Sequence, residues 1–322
     1  MKNARKSGVN DIIKNLKKFL SEAIKRNFYN GLLFSGGLDT SILASLNPKV
    51  VCLTVSLGSE AQDLRFSESL VKHLNMKQLQ KVVDVGEAID AIPEVIKILK
   101  SFDPAIPNDL VVYFGLKNAL ELGIDAIATG DGSDELFGGY SFMKNINDLA
   151  SYIQKISQNL NFSSNDIGKF YGIKIIQPFI DKEVIDFALK IPADLKIKEE
   201  DGKFIGKWIL RKTFEDVLPK EIVWQGKRPL EYGSAMFRLR QIISDKISDE
   251  EFREDLSPVR FMSKEHFYYY KIYREVVGEV PKPKNGQNCC PGCGTGMGRS
   301  SFHCKICGYV LDWGNRYHRV GD

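Results

Sequence analysis

No apolar run in this 322-residue chain approaches the length of about eighteen residues that a membrane-crossing helix needs, so a helical membrane protein is excluded. The opening stretch, MKNARKSGVNDIIKNLKKFL, is basic but lacks the apolar core and small-residue cleavage site of a secretory signal. The expectation is a cytoplasmic protein. An excess of one charge is also missing. Lysine and arginine number 45 against 41 aspartates and glutamates, a net charge of +4 that argues little for a polyanionic partner. Cysteine is scarce at six residues, and in a reducing compartment disulfides are not expected. Cys52 stands alone in an apolar strand-like run and reads as core. The other five cysteines crowd between Cys289 and Cys307, which points to metal. No internal repeats are present.

What the chain does have is an ordinary globular composition, 43% hydrophobic and 27% charged. Its length favours one large domain with an appendage. Helical periodicity over residues 10–27 gives way to GLLFSGGLDTSILASL, which reads as strand, tight turn and helix. KVVCLTVSLG is a valine-rich strand, FSESLVKHLNM a helix and KQLQKVVDV a strand. Helices follow in EAIDAIPEVIKIL and LVVYFGLKNALELG, then strand and loop in IDAIATGDGSDELFGGY. This alternation predicts an α/β fold with a doubly wound parallel sheet, covered on both faces, whose ligands sit at the carboxyl ends of the strands. Residues 144–250 turn mostly helical. The expected division is a catalytic domain over 1–250, a helical and linker segment over 251–284 ending in GEVPKPKNGQN, and a small cysteine-rich domain over 285–322.

Two glycine-rich loops fall at predicted carboxyl ends of strands. In SGGLDTS the glycines let backbone approach a ligand, and N–H groups ahead of a helix make an anion site. Ser35, Thr40 and Ser41 add hydroxyls. The Walker pattern G-x-x-x-x-G-K-S/T is absent. Asp39 inside this cradle would repel phosphate unless a cation intervenes, and Mg²⁺ held by carboxylates and phosphate oxygens resolves the conflict. The second loop, ATGDGSDELFGGY, brings Asp131, Asp134 and Glu135 to the same mouth. One of them can share Mg²⁺ with Asp39, and a neighbour can orient or deprotonate an amine.

SGGLDTS resembles the pyrophosphate loop of the N-type ATP pyrophosphatases, which adenylate a carboxylate or carbonyl oxygen. Thr40 on its own leans toward the argininosuccinate synthetase form. GDGSDELFGGY overrules that lean, because it resembles the signature of asparagine synthetases and β-lactam synthetases. PFID (Pro178–Asp181) and KWILRKTFEDVLPKEIVWQGK are similar to further motifs of the asparagine synthetase family, so the resemblance covers about residues 10–240. It implies an adenine nucleotide alpha hydrolase-like fold that uses ATP. Ser35, Gly36, Gly37, Asp39, Thr40 and Ser41 would hold pyrophosphate, with Asp39 and Asp134 on Mg²⁺. The backbone of Leu53 and Val55 would face adenine, and Gly130 and Asp131 would lie near the α-phosphate and acyl group. Lys207 and Lys227 match the family's two lysines, suited to neutralising phosphate charge in the transition state.

The chain departs from the family pattern at several positions. Asp131 stands where many members have glutamate, Ile176 where arginine is usual, and Gln225 where another arginine is usual. Position 2 is Lys2, not the cysteine nucleophile of a glutaminase, and about thirty residues precede the first loop. The expected amine source is therefore free ammonia, ammonia from a separate glutaminase subunit, or another amine.

In the tail, CPGCG (Cys290, Cys293) and CKICG (Cys304, Cys307) form two C-x-x-C-G knuckles separated by ten residues. Each presents two thiolates, and together they predict a closed four-thiolate structural Zn²⁺ site in a zinc ribbon. Cys289 and His303 are the nearest competing ligands. Phe302, Lys305, Tyr309, Trp313, Arg316, Tyr317 and Arg319 flank the knuckles and suit either packing or RNA.

The reading is an ATP- and Mg²⁺-dependent amide-forming ligase. It adenylates a carboxylate, the aspartate side chain first among candidates, and releases AMP and pyrophosphate. The alternative keeps adenylation but makes tRNA the substrate and the ribbon its binding module. Against it, only Cys52 and Cys289 would remain to carry sulfur. A partner-binding protein on a retained fold is disfavoured by the presence of Asp39, Asp134, Lys207 and Lys227.

Overall fold

The computed structural model describes residues 2–299 and 301–311. The valine-rich run forms β2 (Val51–Leu57), inside a five-stranded sheet with β1 (Gly31–Leu33), β3 (Lys77–Val83), β4 (Ala126–Ala128) and β5 (Lys174–Ile176). The strand order is β3-β2-β1-β4-β5 and every pairing is parallel. Parallel strands need crossovers, supplied here by α2 (Leu38–Leu46), α3 (Gln62–Leu74), α4 (Val85–Leu99), α5 (Ile106–Glu121), α6 (Ser133–Phe137), α7 (Leu149–Ser157) and α8 (Ser163–Tyr171), while α1 (Lys2–Arg26) precedes the sheet. The order reverses between β1 and β4, which opens a crevice at their carboxyl ends. Both glycine-rich loops lie there.

Alternation along the strands feeds two cores. Leu32, Cys52, Ala126, Ala128 and Ile176 face one layer, built with α1 and α2, and Leu53, Val55, Leu57 and Ile127 face the other, built with α4 and α5. Cys52 is fully buried, as its apolar surroundings predicted.

The second half adds α9 (Lys182–Ala188), α10 (Ala193–Lys196), α11 (Trp208–Phe214), α12 (Lys220–Val223), α13 (Leu230–Gly233), α14 (Arg238–Ser244), α15 (Asp249–Arg253) and α16 (Lys264–Val276). It also contains an antiparallel hairpin, β6 (Ile197–Glu200) and β7 (Lys203–Gly206), that the helical reading passed over. Its turn residues Asp201 and Gly202 both have positive φ (51° and 73°), the form that suits a two-residue hairpin. Within the segment expected as helix and linker, α16 is capped by Ser263 and buries Phe267, Tyr269, Tyr270 and Tyr273.

The cysteine-rich tail adds β8 (Asn288–Cys289) and β9 (Gly296–Met297) and rests on the larger body. The Phe102 N–H donates to the Ile306 carbonyl at 2.7 Å, and the Arg260 N–H to that of Gly292 at 2.7 Å. Trp313, Arg316, Tyr317 and Arg319 lie outside the described residues.

In the first turn of α5, burial raises the Asp109 pKa from its ordinary 3.8 to about 7; a hydrogen bond from Ser163 opposes the shift and Asp103 adds to it. The folded state therefore binds this proton more tightly than the unfolded chain. Its stabilising contribution is complete below about pH 4 and is lost as pH rises toward 7. Asp109→Asn should remove that loss, gaining up to about 4 kcal/mol over the unaltered protein at pH 8 and little at pH 4. Urea unfolding at the two pH values checks this, and equal differences at both would contradict it.

Candidate active site

The first loop leaves β1 at Leu33 and enters α2. Gly36 has φ +68°, and a Cβ there would lie 2.6 Å from the Ser67 backbone nitrogen and 2.8 Å from the Phe66 carbonyl carbon, so only glycine fits. Gly37 begins α2 without a side-chain cap, leaving first-turn N–H groups open to an anion. Ser35 Oγ accepts from the Gly37 N–H at 3.2 Å and lies 3.4 Å from Thr40 Oγ1. Ser41 stands apart, being fully buried and donating its hydroxyl to the Gly37 carbonyl at 2.6 Å.

The second loop abuts the first. A Cβ on Gly130 would be 3.0 Å from Asp39 Cβ, and Ser133 Oγ donates to Asp39 Oδ1 at 2.7 Å. β1 ends opposite Leu53 while β2 continues to Leu57. The Leu53 carbonyl accepts from Phe34 N–H at 2.8 Å and Leu57 N–H donates to the Ser234 carbonyl at 2.8 Å, with Val55 between these two crossings.

Two lysines from distant sequence close on the acids. Lys207 sits in left-handed backbone (φ 56°) at the start of α11 and is 6% exposed. Its ammonium lies 2.7 Å from Asp39 Oδ2 and 2.8 Å from Asp134 Oδ1. Lys227 Nζ lies 2.5 Å from Asp134 Oδ1 and 4.2 Å above the centre of the Tyr140 ring. Burial works to lower the Lys207 pKa, but Asp134 and Asp39 outweigh it and hold the pKa above its ordinary value. Burial likewise works to raise Asp134, yet Lys207 and Lys227 bring it down to about 2. The glycines of FGGY and IGK make room for this pair. A Cβ on Gly139 would fall 1.8 Å from Asp134 Oδ1 and 2.3 Å from Lys207 Cε, and one on Gly206 would fall 2.5 Å from the Gly138 carbonyl oxygen.

One ammonium held between two carboxylates marks where a cation is best stabilised. The two carboxylates that hold it are hard oxygen donors of the type that suits Mg²⁺, and the loop that carries Asp39 adds the Ser35 and Thr40 hydroxyls. Asp131 is handled differently. Its Oδ2 accepts from Thr129 Oγ1 (2.6 Å), Ser164 Oγ (2.6 Å) and Gln177 Nε2 (2.9 Å), all neutral donors. Glu135 accepts from the Tyr140 hydroxyl at 2.6 Å, and burial raises its pKa.

Several contributors escaped the sequence reading. Arg211, one helical turn after Lys207, donates through Nε to the Gly206 carbonyl at 2.9 Å and through Nη1 to that of Gln225 at 3.0 Å, tying together both lysine-bearing segments. Its place in the same motif was the available signal. Gln225, noted only as a missing arginine, donates to the Gly36 carbonyl of the first loop at 3.2 Å. Ile176 ends β5 buried in the core.

In the tail, one sulfur from each of Cys290, Cys293, Cys304 and Cys307 lies within 4.8 Å of every other. The pairs Cys290–Cys307 and Cys293–Cys304 are 3.7 and 3.8 Å apart. A tetrahedron with metal–sulfur bonds of about 2.3 Å has edges of about 3.8 Å, so the four thiols fit a structural metal such as zinc. Gly294 and Gly308 (φ 78° and 74°) turn the knuckles. Cys289 is exposed with its sulfur toward the Gly294 carbonyl, and His303 pairs with Asp103 at 3.0 Å, so neither joins the group. Phe302 packs on Tyr152 and Tyr309 joins the core, while Lys305 stays exposed. Among the described residues, no helix is long and apolar enough to cross a membrane.

The sequence profile described as asparagine synthase matches residues 15–170 and 150–289. A probable glutamine-hydrolyzing asparagine synthetase of Dictyostelium discoideum is 28% identical over 286 residues, covering 76% of this chain and 51% of that protein. Asparagine synthetase B, glutamine-hydrolyzing, of Escherichia coli K12 is 26% identical over 346 residues, covering 95% and 59%. The chain thus spans little more than half the length of these relatives. Among solved structures, the U34-tRNA thiolase NcsA of Methanococcus maripaludis with its [4Fe-4S] cluster aligns over 94% of this chain and 89% of its own, at 12% identity and a TM-score of 0.35.

Proposed function

Because the chain belongs to the asparagine synthase family, we propose that it is an ATP-dependent ligase that forms an amide through an acyl-adenylate. The observation that carries this reading is the Lys207 ammonium held between Asp39 and Asp134, where two glycine-rich loops meet at the carboxyl ends of β1 and β4. In the proposal, Ser35, Gly36, Gly37, Thr40 and the N-terminus of α2 cradle the pyrophosphate of ATP, while Leu53 and Val55 border adenine. Ser41 supports the loop from behind by its bond to Gly37. Asp39 and Asp134 would hold Mg²⁺, which supplies neutralisation of phosphate charge. Four cysteines, Cys290, Cys293, Cys304 and Cys307, would hold a structural Zn²⁺ that takes no part in the chemistry.

The proposed first step is attack of a carboxylate oxygen on the α-phosphorus, with the bond to pyrophosphate breaking. Lys207 and Lys227 sit beside the acids of the phosphate loops, and each can turn its charge to the phosphate oxygens as negative charge builds there. In the second step an amine attacks the acyl carbon near Gly130 and Asp131, and AMP leaves. The side chain of aspartate is the proposed acyl group. Ammonia is the proposed amine, arriving free or from a separate glutaminase subunit. The inward packing of Phe302 and Tyr309 supports this reading over one in which the ribbon grips RNA.

The test is exchange of labelled pyrophosphate into ATP by the purified chain, supplied in turn with aspartate, other carboxylates and bulk tRNA. The expected result is aspartate-dependent exchange and, with ammonium, asparagine together with AMP. Formation of ADP would reject the adenylation chemistry. Exchange with tRNA alone would transfer the substrate assignment to RNA.

A further inference from the structure

We infer that Gln177 is a positioning residue for the amine-transfer step, acting with Ser164 and Thr129 through Asp131; the inference rests on the ligase reading proposed above. Three separate segments converge on one carboxylate oxygen. Thr129 follows β4, Ser164 lies in the first turn of α8 and Gln177 follows β5; their donors reach Asp131 Oδ2 at 2.6, 2.6 and 2.9 Å. The ends of β4 and β5 are themselves joined by the Thr129 N–H donating to the Ile176 carbonyl at 2.9 Å, which sets Gln177 at the right height. Gln177 is oriented from behind as well. Asn165 Nδ2 donates to Gln177 Oε1 at 3.4 Å, and a carboxylate accepts only from the amide nitrogen, so its NH₂ must face Asp131.

This arrangement saturates Oδ2 and fixes the carboxylate, and among the described residues no donor falls on Oδ1. None of the described lysines or arginines forms an ion pair with Asp131, in contrast to Asp39 and Asp134. An arginine here could take both oxygens in a fork and cancel the charge. Neutral donors hold the group in place and leave its negative charge for the incoming amine. During transfer the nitrogen lone pair forms the C–N bond, and the C–O bond to AMP breaks with its electron pair leaving on AMP. The proton released from nitrogen passes to Asp131 Oδ1 and then to solvent. Adenylation draws instead on Asp39, Asp134 and the two lysines, and the donors that hold Asp131 make no hydrogen bond to any of these four side chains.

The two half-reactions therefore separate the outcomes. Gln177→Leu and Ser164→Ala, tested in the full chain, should keep carboxylate-dependent pyrophosphate exchange within about threefold of the unaltered protein. Amide formation should fall about 10- to 100-fold, a part of the roughly 100- to 10,000-fold that a well-positioned proton acceptor contributes. AMP should then be released in excess over amide, as water intercepts the waiting adenylate. Ser164→Thr, which keeps the hydroxyl, should restore the balance. Parallel loss of exchange and transfer would mean a merely structural role and overturn the inference, as would unchanged transfer in both variants. If the unaltered chain shows no carboxylate-dependent exchange, the ligase reading falls and this inference with it.

Discussion

Replacing Lys207 by methionine is expected to reduce carboxylate-dependent pyrophosphate exchange about a thousandfold. One charged donor aimed at developing phosphate charge in a water-poor site contributes on the order of 100- to 1000-fold. Lys207 also fixes where Asp39 and Asp134 sit, so both effects fall in one substitution. Methionine keeps most of the buried stem but leaves two carboxylates facing each other, with Lys227 reaching only Asp134. Breaking a buried ion pair in this way costs about 3–5 kcal/mol. The pH dependence has a definite sign. The Asp134 pKa is depressed to about 2 in the intact arrangement, so its stabilisation is present above the unfolded pKa near 4 and is lost only as pH falls toward 2. The variant loses that depression, so the stability gap between the two proteins should narrow as pH falls from 5 toward 2. Exchange rates and urea unfolding curves at pH 7 and pH 3 check both parts. Activity within tenfold of the unaltered chain would remove Lys207 from the reaction.

The same residue shows what could and could not be seen in the sequence. SGGLDTS is local: a strand, a glycine turn and a helix start lie within a dozen residues, and all follow from periodicity and backbone freedom. That the second loop would meet the first followed from the alternation of strands and helices, which puts both at carboxyl ends. Lys207 was found only through its motif. Its partner Asp39 is 168 positions earlier, and no local pattern encodes a pairing across that distance. Ser164 and Gln177 carried no signal at all, being neutral residues whose role exists only where β4, β5 and α8 converge. The β6–β7 hairpin was missed for another reason. Its strands carry charged residues on an exposed surface, and the turn pair Asp201–Gly202 was its one clear mark. In the tail the spacing of cysteines announced a four-thiolate group, while the surface on which that group rests was not legible.

That surface makes metal removal the second large effect. Stripping the metal proposed for the four thiolates, or replacing Cys304 by serine, is expected to destabilise the whole protein and not the tail alone. Cys290, Cys293, Cys304 and Cys307 are each at most 5% exposed and are part of the same core as Phe102, Tyr270, Tyr273 and the β2 face of the sheet. The Ile306 carbonyl between two of them accepts from the Phe102 N–H, and Gly292 between the other two accepts from the Arg260 N–H. Structural zinc contributes about 10–16 kcal/mol in isolated zinc-binding peptides, comparable to the whole stability of a domain at about 5–15 kcal/mol. With the metal gone, four buried thiols are left without their common partner, and the segment 100–105 leading into α5 loses its cover. The start of α5 also braces α13, which follows Lys227 closely in the chain, because Asn108 Oδ1 accepts from the Glu231 N–H at 2.9 Å. A chelator should therefore remove one metal ion per chain, lower the melting temperature by more than about 10 °C in a single transition, and reduce pyrophosphate exchange in step. Elemental analysis, calorimetry and exchange measured on the same samples test the coupling. If the metal-free chain keeps its main transition and its exchange activity, the ribbon is an independent appendage and the shared core has no energetic weight.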